Sequence, residues 1–262
     1  MAVKKIALIT GPTAGIGYEL SKLFAKDGYD LVLVSRDEVR LQALGQELKN
    51  MYGTQSHILV TDLANGNSPR KIHNFVKQQG ISVDILVNNA GFQVYGTFSE
   101  TPLDKELDML HVHITGLTIL TKLFLVDMLA KGSGRILNVG STGSFVPGGP
   151  FNAVYCATKA YILSFSEAIA EELKGTNITV TTLCPGATAT EFAKRANIED
   201  ITLFKYKWGV MDARTVARAG YDALNQGKRS IVPGFANKMT VYSIKFTPRR
   251  LMTIATKLFM SR

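Results

Sequence analysis

Seven short apolar runs, each separated from the next by a longer stretch with helical punctuation, constrain this chain more than any other feature. They are Ile6–Thr10, Leu31–Ser35, His57–Thr61, Ile85–Asn88, Arg135–Val139, Thr179–Cys184 and Ser230–Pro233. Most are continuously apolar rather than alternating, the pattern of strands covered on both faces. Strands that alternate with helices pair in parallel through crossover connections. The expected fold class is therefore α/β, a single doubly wound domain over residues 1–262 with a seven-stranded, mostly parallel sheet and helices on both faces. Such a sheet needs a large core, and 46% of the 262 residues are hydrophobic.

The helices between these runs have readable ends. One spans Gly15–Lys26 and stops at Gly28; another starts at Asp212, an N-cap residue, and ends before Gly227. Leu103–Lys131 and Tyr155–Lys174 are the longest helical stretches. No repeat or linker divides the chain. The least regular segment, about 190–211, reads as a substrate lid and contains Phe192, Phe204, Tyr206 and Trp208.

Bulk properties point to a soluble, cytoplasmic protein. Lys122 and Asp127 interrupt the greasiest region, Ile114–Ala130, which excludes it as a membrane span. Lys4 and Lys5 precede an apolar run of only about four residues, too short for a signal-peptide core. Cys156 and Cys184 lie far apart and match no metal spacing, so both are expected as reduced thiols. The 30 basic and 21 acidic side chains give a net charge of +9, unevenly spread: no acidic residue follows Asp222. A basic C-terminal segment, about 234–262, results.

The first strand hands over to its helix through "TGPTAGIG", residues 10–17. Glycines there let the backbone turn tightly and approach a pyrophosphate, while the helix N-terminus supplies free N–H groups and partial positive charge. Gly11, Gly15, Ile16 and Gly17 are candidate cofactor-binding residues, and Thr13 adds a hydroxyl. The spacing Gly-x-x-x-Gly-x-Gly is one residue longer than the common dinucleotide fingerprint. The second strand ends in Ser35-Arg36, where an acidic residue would hold a ribose hydroxyl and a cation a 2′-phosphate. Arg36 favours NADP(H) over NAD(H), although the neighbouring Asp37 is placed to neutralise it.

"YCATK" sets Tyr155 and Lys159 four apart, on one face of a helix. An ammonium beside a phenol lowers its pKa from ~10, making Tyr155 an acid/base usable near neutral pH. "YELSK" gives Tyr18 and Lys22 the same spacing, but only Tyr155 follows a strand-end hydroxyl, Ser141 of "NVGS". Thr142 and Ser144 are nearby rivals for that hydroxyl.

Taken together, "TGPTAGIG", "TDL" at 61–63, "VNNAG" at 87–91, "NVGS", "YCATK" and "CPGATAT" at 184–190 resemble, in order and spacing, the short-chain dehydrogenase/reductase family. The resemblance covers nearly the whole chain and implies a Rossmann-type fold. It implies that Asp62 and Leu63 flank an adenine and that Asn89, Ala90 and Gly91 line the cofactor cleft. It further implies that Pro185, Gly186, Thr188 and Thr190 enclose the nicotinamide end. Tyr155 would donate the proton, Ser141 steady the substrate oxygen, and Lys159 bind the nicotinamide ribose while depressing the Tyr155 pKa. A small carbonyl or alcohol is the implied substrate, and a homodimer or homotetramer the implied assembly.

Two departures stand out. Many members carry an asparagine where this chain reads "VHITG", and His113 takes its place. As a catalytic residue His113 would hold a water in a proton relay or titrate near neutrality; as a core histidine it would do neither. The interval from Ser141 to Tyr155 is also one residue longer than the common spacing, with "VPGGP" at 146–150 to absorb it.

Other readings are weaker. His111 and His113 are two apart, so they do not face each other on a helix and no metal site is expected. No recognition motif supports nucleic-acid binding. The basic C-terminal segment, rich in Met, Phe, Ile and Leu, is open to three roles: subunit packing, peripheral membrane contact, or attraction of anionic substrates. For the whole chain the expectation is an NADPH-dependent oxidoreductase interconverting a carbonyl and an alcohol. A non-catalytic NADP(H)-binding regulator and a 3-oxoacyl thioester reductase acting near membranes are the alternatives.

Overall fold

The computed structural model describes residues 4–205 and 209–262. Strands β1 (Ile6–Thr10), β2 (Asp30–Ser35), β3 (Ser56–Val60), β4 (Ile85–Asn88), β5 (Gly134–Val139) and β6 (Ile178–Leu183) share one parallel sheet with β9 (Ser230–Ile231). The order is β3-β2-β1-β4-β5-β6-β9. Two short strands, β7 (Thr188–Ala189) and β8 (Met211–Asp212), pair in parallel outside it. The seven expected strands are all present, with ends shifted by one or two residues, the ordinary uncertainty of element boundaries.

Both faces of the sheet are covered, which is why its strands read as unbroken apolar runs. In β1, Ala7 and Ile9 join one cluster and Leu8 the other. The first cluster takes Leu20 and Phe24 from α1 (Gly15–Lys26), Leu41 and Leu48 from α2 (Glu38–Tyr52), and Val216 and Tyr221 from α9 (Ala213–Asn225). The second takes Ile72 and Val76 from α3 (Ser68–Gln78) and Phe124 and Met128 from α5 (Leu117–Lys131). Fully burying each such side chain contributes roughly 1.5–3 kcal/mol.

The expected helix over Leu103–Lys131 is built from three pieces. Helix α4 (Leu103–Leu110) runs into a π-helical stretch, His111–Gly116, and then into α5. By length and composition alone this combined helix is apolar enough to cross a membrane, but Met109, Val112, Leu120, Phe124 and Met128 bury its inner face in the protein. The Tyr155–Lys174 helix begins earlier, as α6 (Ala153–Glu172).

The irregular segment after β7 contains α7 (Glu191–Arg195) and α8 (Thr202–Lys205); Tyr206 and Trp208 lie outside the described residues. The basic C-terminal segment is also helical, as α10 (Phe235–Ile244) and α11 (Arg249–Met260).

In an open parallel sheet, ligands bind at the carboxyl ends of the strands where the strand order reverses. Here that point lies between β1 and β4, whose ends carry the glycine turn and the Asn89–Gly91 loop.

Candidate active site

The glycine turn leaves β1 with Gly11 at φ +64° and Gly15 at φ +56°, conformations in which side chains are strained. A Cβ on Gly17 would sit 2.3 Å from the Gly11 carbonyl oxygen, and one on Gly15 would meet the Thr190 methyl at 3.0 Å. The turn is braced from β4. Asn89 Nδ2 donates to the carbonyls of Thr10 (3.0 Å) and Gly11 (2.9 Å), while the Asn89 and Ala90 N–H groups both donate to Thr10 Oγ1 at 3.0 Å. The Asn89 amide therefore holds the turn in shape.

Helix α1 then begins at Ala14 with no side-chain cap and no acidic residue in its first turn. A glycine cradle and an uncapped, unopposed helix N-terminus are what a pyrophosphate requires, so the residues fit a dinucleotide. Thr13 lies half-buried within the turn. Ile16, partly buried at the start of α1, packs its side chain against the first core cluster.

At the adenine end, Arg36 pairs with Asp62, Nη1 to Oδ2 at 3.5 Å, and its side chain is 74% exposed. The neighbour expected to neutralise it is engaged elsewhere: Asp37 caps α2, accepting the Arg40 N–H at 3.0 Å. Leu63 is buried in the core below, so Asp62 is the member of that pair exposed to solvent. Arg40, which nothing in the sequence marks, donates through Nη1 to Glu191 at 2.8 Å and ties α2 to α7 across the cleft. Hydrogen bonds from Arg40 and Arg195 hold the Glu191 carboxyl below its ordinary pKa.

Ser141, Tyr155 and Lys159 come together at the ends of β5 and α6. Ser141 Oγ accepts the Gly143 N–H at 3.0 Å, which leaves its own proton free to be donated, and the hydroxyl lies on the Tyr155 side, where it acts to lower the phenol pKa. Of its rivals, the Ser144 hydroxyl is committed to the Lys159 carbonyl at 2.7 Å; Thr142 is fixed through its backbone N–H, which donates to the Pro185 carbonyl at 2.8 Å, and its hydroxyl stays a rival. The competing pair sits apart: Tyr18 donates to Glu47 at 2.6 Å on α2, and that bond raises its pKa to about 12.

The expected depression of the Tyr155 pKa is not found in this state. Burial pushes it up, and the Ser141 hydroxyl only partly opposes that. Lys159 Nζ lies 5.6 Å from the phenol ring centroid and donates to the Val139 carbonyl at 2.9 Å; its own burial pushes its pKa down to about 8. Desolvation dominates because the phenol is enclosed and the Lys159 cation is bonded to the Val139 carbonyl.

His113 is 1% exposed, and both ring nitrogens are taken. Nε2 accepts the Phe92 N–H at 3.2 Å, so the neutral ring carries its proton on Nδ1 and donates it to Thr158 Oγ1 at 2.9 Å. The Thr158 hydroxyl in turn donates a hydrogen bond to the Tyr155 carbonyl at 2.7 Å. Burial and nearby Lys159 hold the His113 pKa well below its ordinary value, so the ring stays neutral. Neither nitrogen is left to hold a water. Gly91 makes the approach possible, since a Cβ there would lie 2.6 Å from Nε2.

Behind these residues runs a buried polar network with no signal in the sequence beyond asparagines ending two apolar strands. Asn88 Nδ2 donates to Asn138 Oδ1 (2.9 Å) and Thr121 Oγ1 (3.1 Å), and Asn138 Nδ2 donates to Ser166 Oγ (2.8 Å). It fastens β4 and β5 to α5 and α6, and so sets the height of Tyr155 against the sheet.

Past β6, Pro185 and Gly186 lead into β7. Thr188 donates to the Gly186 carbonyl at 3.0 Å, and Thr190 caps α7 by accepting the Phe192 N–H at 3.2 Å. A Cβ on Gly186 would collide with the Asn237 side chain at 2.4 Å. The Phe192 ring lies 6.1 Å from that of Tyr155, so α7 leans over the phenol. A cavity of about 470 Å³, lined by residues including Asp27, Tyr29 and Arg135, contains none of these site residues.

The family model for short chain dehydrogenases matches residues 5–200. A putative ketoacyl reductase of granaticin polyketide synthase from Streptomyces violaceoruber is 38% identical over 74% of this chain and 71% of its own length. Dehydrogenase/reductase SDR family member 7B of Mus musculus is 29% identical over 93% of this chain and 77% of its own. Among solved structures, a short-chain dehydrogenase from Sphingobium yanoikuyae in complex with NADPH superimposes with a TM-score of 0.81 at 28% identity, covering 95% of each chain. One from Burkholderia phymatum in complex with NAD has the same TM-score at 23% identity, covering 91% of this chain and 92% of that one.

Proposed function

Because the chain belongs to the short-chain dehydrogenase family of oxidoreductases, we propose that it is an NADPH-dependent carbonyl reductase, reversibly an alcohol dehydrogenase, with Tyr155 as acid/base. The observation that carries this reading is the convergence of Ser141, Tyr155 and Lys159 on the cleft that holds the braced glycine turn. When bound, the nicotinamide cofactor supplies the hydride.

The substrate oxygen sits between the Ser141 and Tyr155 hydroxyls. Ser141, whose Oγ already accepts the Gly143 N–H, donates its proton to that oxygen and orients it. Tyr155 transfers its phenolic proton as the alcohol forms, and burial keeps it in the protonated form a reductase needs. Lys159, with a pKa of about 8, is mostly charged at neutral pH and stabilises the phenolate left behind. Gly11, Gly15 and the α1 N-terminus hold the pyrophosphate, and Arg36 pairs with the 2′-phosphate. Thr188 and Thr190 close the nicotinamide end. The residues 190–211 form a lid, and Phe192 beside Tyr155 supports an apolar ketone or aldehyde.

The test measures oxidation of NADPH and of NADH by absorbance against a panel of ketones, aldehydes and 3-oxoacyl thioesters. Turnover identifies the substrate class; tight NADPH binding with no turnover across the panel would favour the regulator. The thioesters are included because the 38% identical relative is named as a putative ketoacyl reductase. Arg36→Glu should weaken NADPH binding about 10- to 100-fold, the loss of a charge-assisted contact, and leave NADH nearly unchanged. Equal weakening of both would remove the 2′-phosphate assignment.

His113 acts in this scheme as a positioning residue that joins the Phe92 loop to α6. His113→Ala should cost about 1–3 kcal/mol of stability by orphaning the Phe92 N–H, while the pH–rate profile keeps its shape because a neutral imidazole does not titrate in the reaction. Denaturant melts and pH–rate profiles check both parts, with His113→Asn as the variant that restores an acceptor. Loss of a titrating limb in the alanine variant would return His113 to the proton relay. A homodimer or homotetramer and a cytoplasmic location belong to the same proposal, supported by exposed Val126 and Leu129 on α5 and by two buried, unpaired cysteines.

A further inference from the structure

Helix α10 carries an unpartnered apolar stripe. Phe235, Met239, Tyr242 and, just past its end, Phe246 recur at helical spacing and are 80%, 50%, 57% and 72% exposed. The opposite side of the helix is anchored: Val241 and Asn237 are buried, and Asn237 Nδ2 donates to the carbonyls of Pro233 (3.0 Å) and Gly209 (3.1 Å). The stripe is thus the outward side of a fixed helix.

Helix α11 repeats the arrangement. Leu251, Ile254 and Leu258, at i, i+3 and i+7, are each more than half exposed, while Met260 is buried. Basic side chains flank both stripes: Lys238 and Lys245 beside the first, Arg250 and Lys257 beside the second, all exposed. None of the four forms an ion pair among the described residues, and no acidic residue occurs after Asp222.

An apolar stripe edged by unpaired cations suits one kind of occupant. Its apolar side chains enter a hydrocarbon boundary while the cations meet anionic headgroups. We propose that α10 and α11 form a docking surface for an anionic lipid bilayer, holding the protein on the membrane without crossing it. Charge complementarity favours this over a second copy of the chain, whose own surface here would present the same positive charge.

The position of α11 gives docking a consequence for the site. Arg249 donates to the Pro147 carbonyl at 3.4 Å, in the loop between Ser141 and Tyr155. At the other end the Met260 carbonyl accepts from Tyr95 at 2.5 Å, the Ser261 carbonyl accepts from the Thr202 N–H at 2.9 Å, and Arg262 pairs with Asp200 at 3.3 Å. A helix on the bilayer is therefore fastened to both the catalytic loop and the 190–211 segment, which lets an apolar carbonyl enter from the lipid. That last step rests on the lid reading above; the docking surface does not.

The experiment is sedimentation of the full chain with phosphatidylcholine vesicles, with and without phosphatidylglycerol, which reads binding independently of catalysis. Binding is expected only to the anionic vesicles, and added salt should weaken it. Replacing Lys245, Arg250 and Lys257 by Gln should lower vesicle affinity about 100-fold, from roughly a fivefold loss per cation. Ile254→Glu with Leu258→Glu should abolish it. Because these side chains are exposed, NADPH binding by the variants reports that they still fold. Equal binding to neutral vesicles, or no binding to either, would overturn the proposal. So would a dimer in solution that dissociates in the Ile254→Glu, Leu258→Glu variant, which would make a second copy the occupant.

Discussion

Replacing Tyr155 with phenylalanine is expected to lower carbonyl reduction by about 100- to 10,000-fold, the range over which a positioned acid accelerates a reaction. Cofactor affinity should change little. The substitution removes a single oxygen from a ring held by α6 and packed near His113 and Phe192 at 5.9 and 6.1 Å between centroids, so the cleft keeps its shape. Single-turnover kinetics alongside cofactor titration separate the two effects. Undiminished reduction would remove Tyr155 from the mechanism.

The same residue gives the reaction a directional pH dependence. Burial raises the Tyr155 pKa, so the phenol form that reduction needs persists as pH rises through neutrality. Alcohol oxidation needs the phenolate and should accelerate from neutral into alkaline solution. Lys159 modulates this: its charge is lost as pH passes about 8, which withdraws support from the phenolate. Initial rates in both directions across that range test the assignment, and parallel profiles would contradict it.

The second large effect is expected at Gly17. A methyl group there would stand 2.3 Å from the Gly11 carbonyl oxygen and 2.4 Å from Asn89 Nδ2. The carbonyl belongs to the backbone of the turn, so it cannot swing aside as the end of a flexible side chain would. Gly17→Ala should cost about 1–3 kcal/mol of stability through overpacking. It should also weaken dinucleotide binding about 100-fold, because the displaced groups are the ones that shape the turn. Thermal melts and cofactor titration measure both. Gly28→Ala is the control: Gly28, unlike Gly17, has a positive φ, but no atom lies within 4 Å of its Cβ position. Equal loss of binding in both variants would show that the close approach at Gly17 is not what matters.

The glycine spacing, the Tyr155–Lys159 pair and the strand-end Ser141 could be read along the chain, because each depends on neighbours within one turn or one strand–helix unit. The phenol pKa could not. Its sign depends on how completely α6 is buried and on where the Lys159 amine finds its hydrogen bond, which is the Val139 carbonyl at the end of β5.

Asn89 shows a similar division. The family resemblance implied that it lines the cofactor cleft; only the folded chain shows its amide donating to the carbonyls of Thr10 and Gly11, residues 79 and 78 positions away. Arg40 and Glu191, 151 apart, meet only because the fold brings the start of α7 beside α2. The role of His113 stayed open in the chain because an imidazole has two nitrogens of interchangeable character, and only packed neighbours decide which one carries the proton.

By itself, the sequence determined the parallel sheet, the order of its elements and the cleft at which the chemistry would lie. Hydrophobic burial and turn geometry act over short stretches, and both are written in local residue patterns. Tertiary structure alone decided the protonation of Tyr155, Lys159 and His113, the bracing of the glycine turn, and the outward face of α10 and α11. Desolvation and long-range hydrogen bonds depend on which distant segments the folded chain brings within a few ångströms of one another.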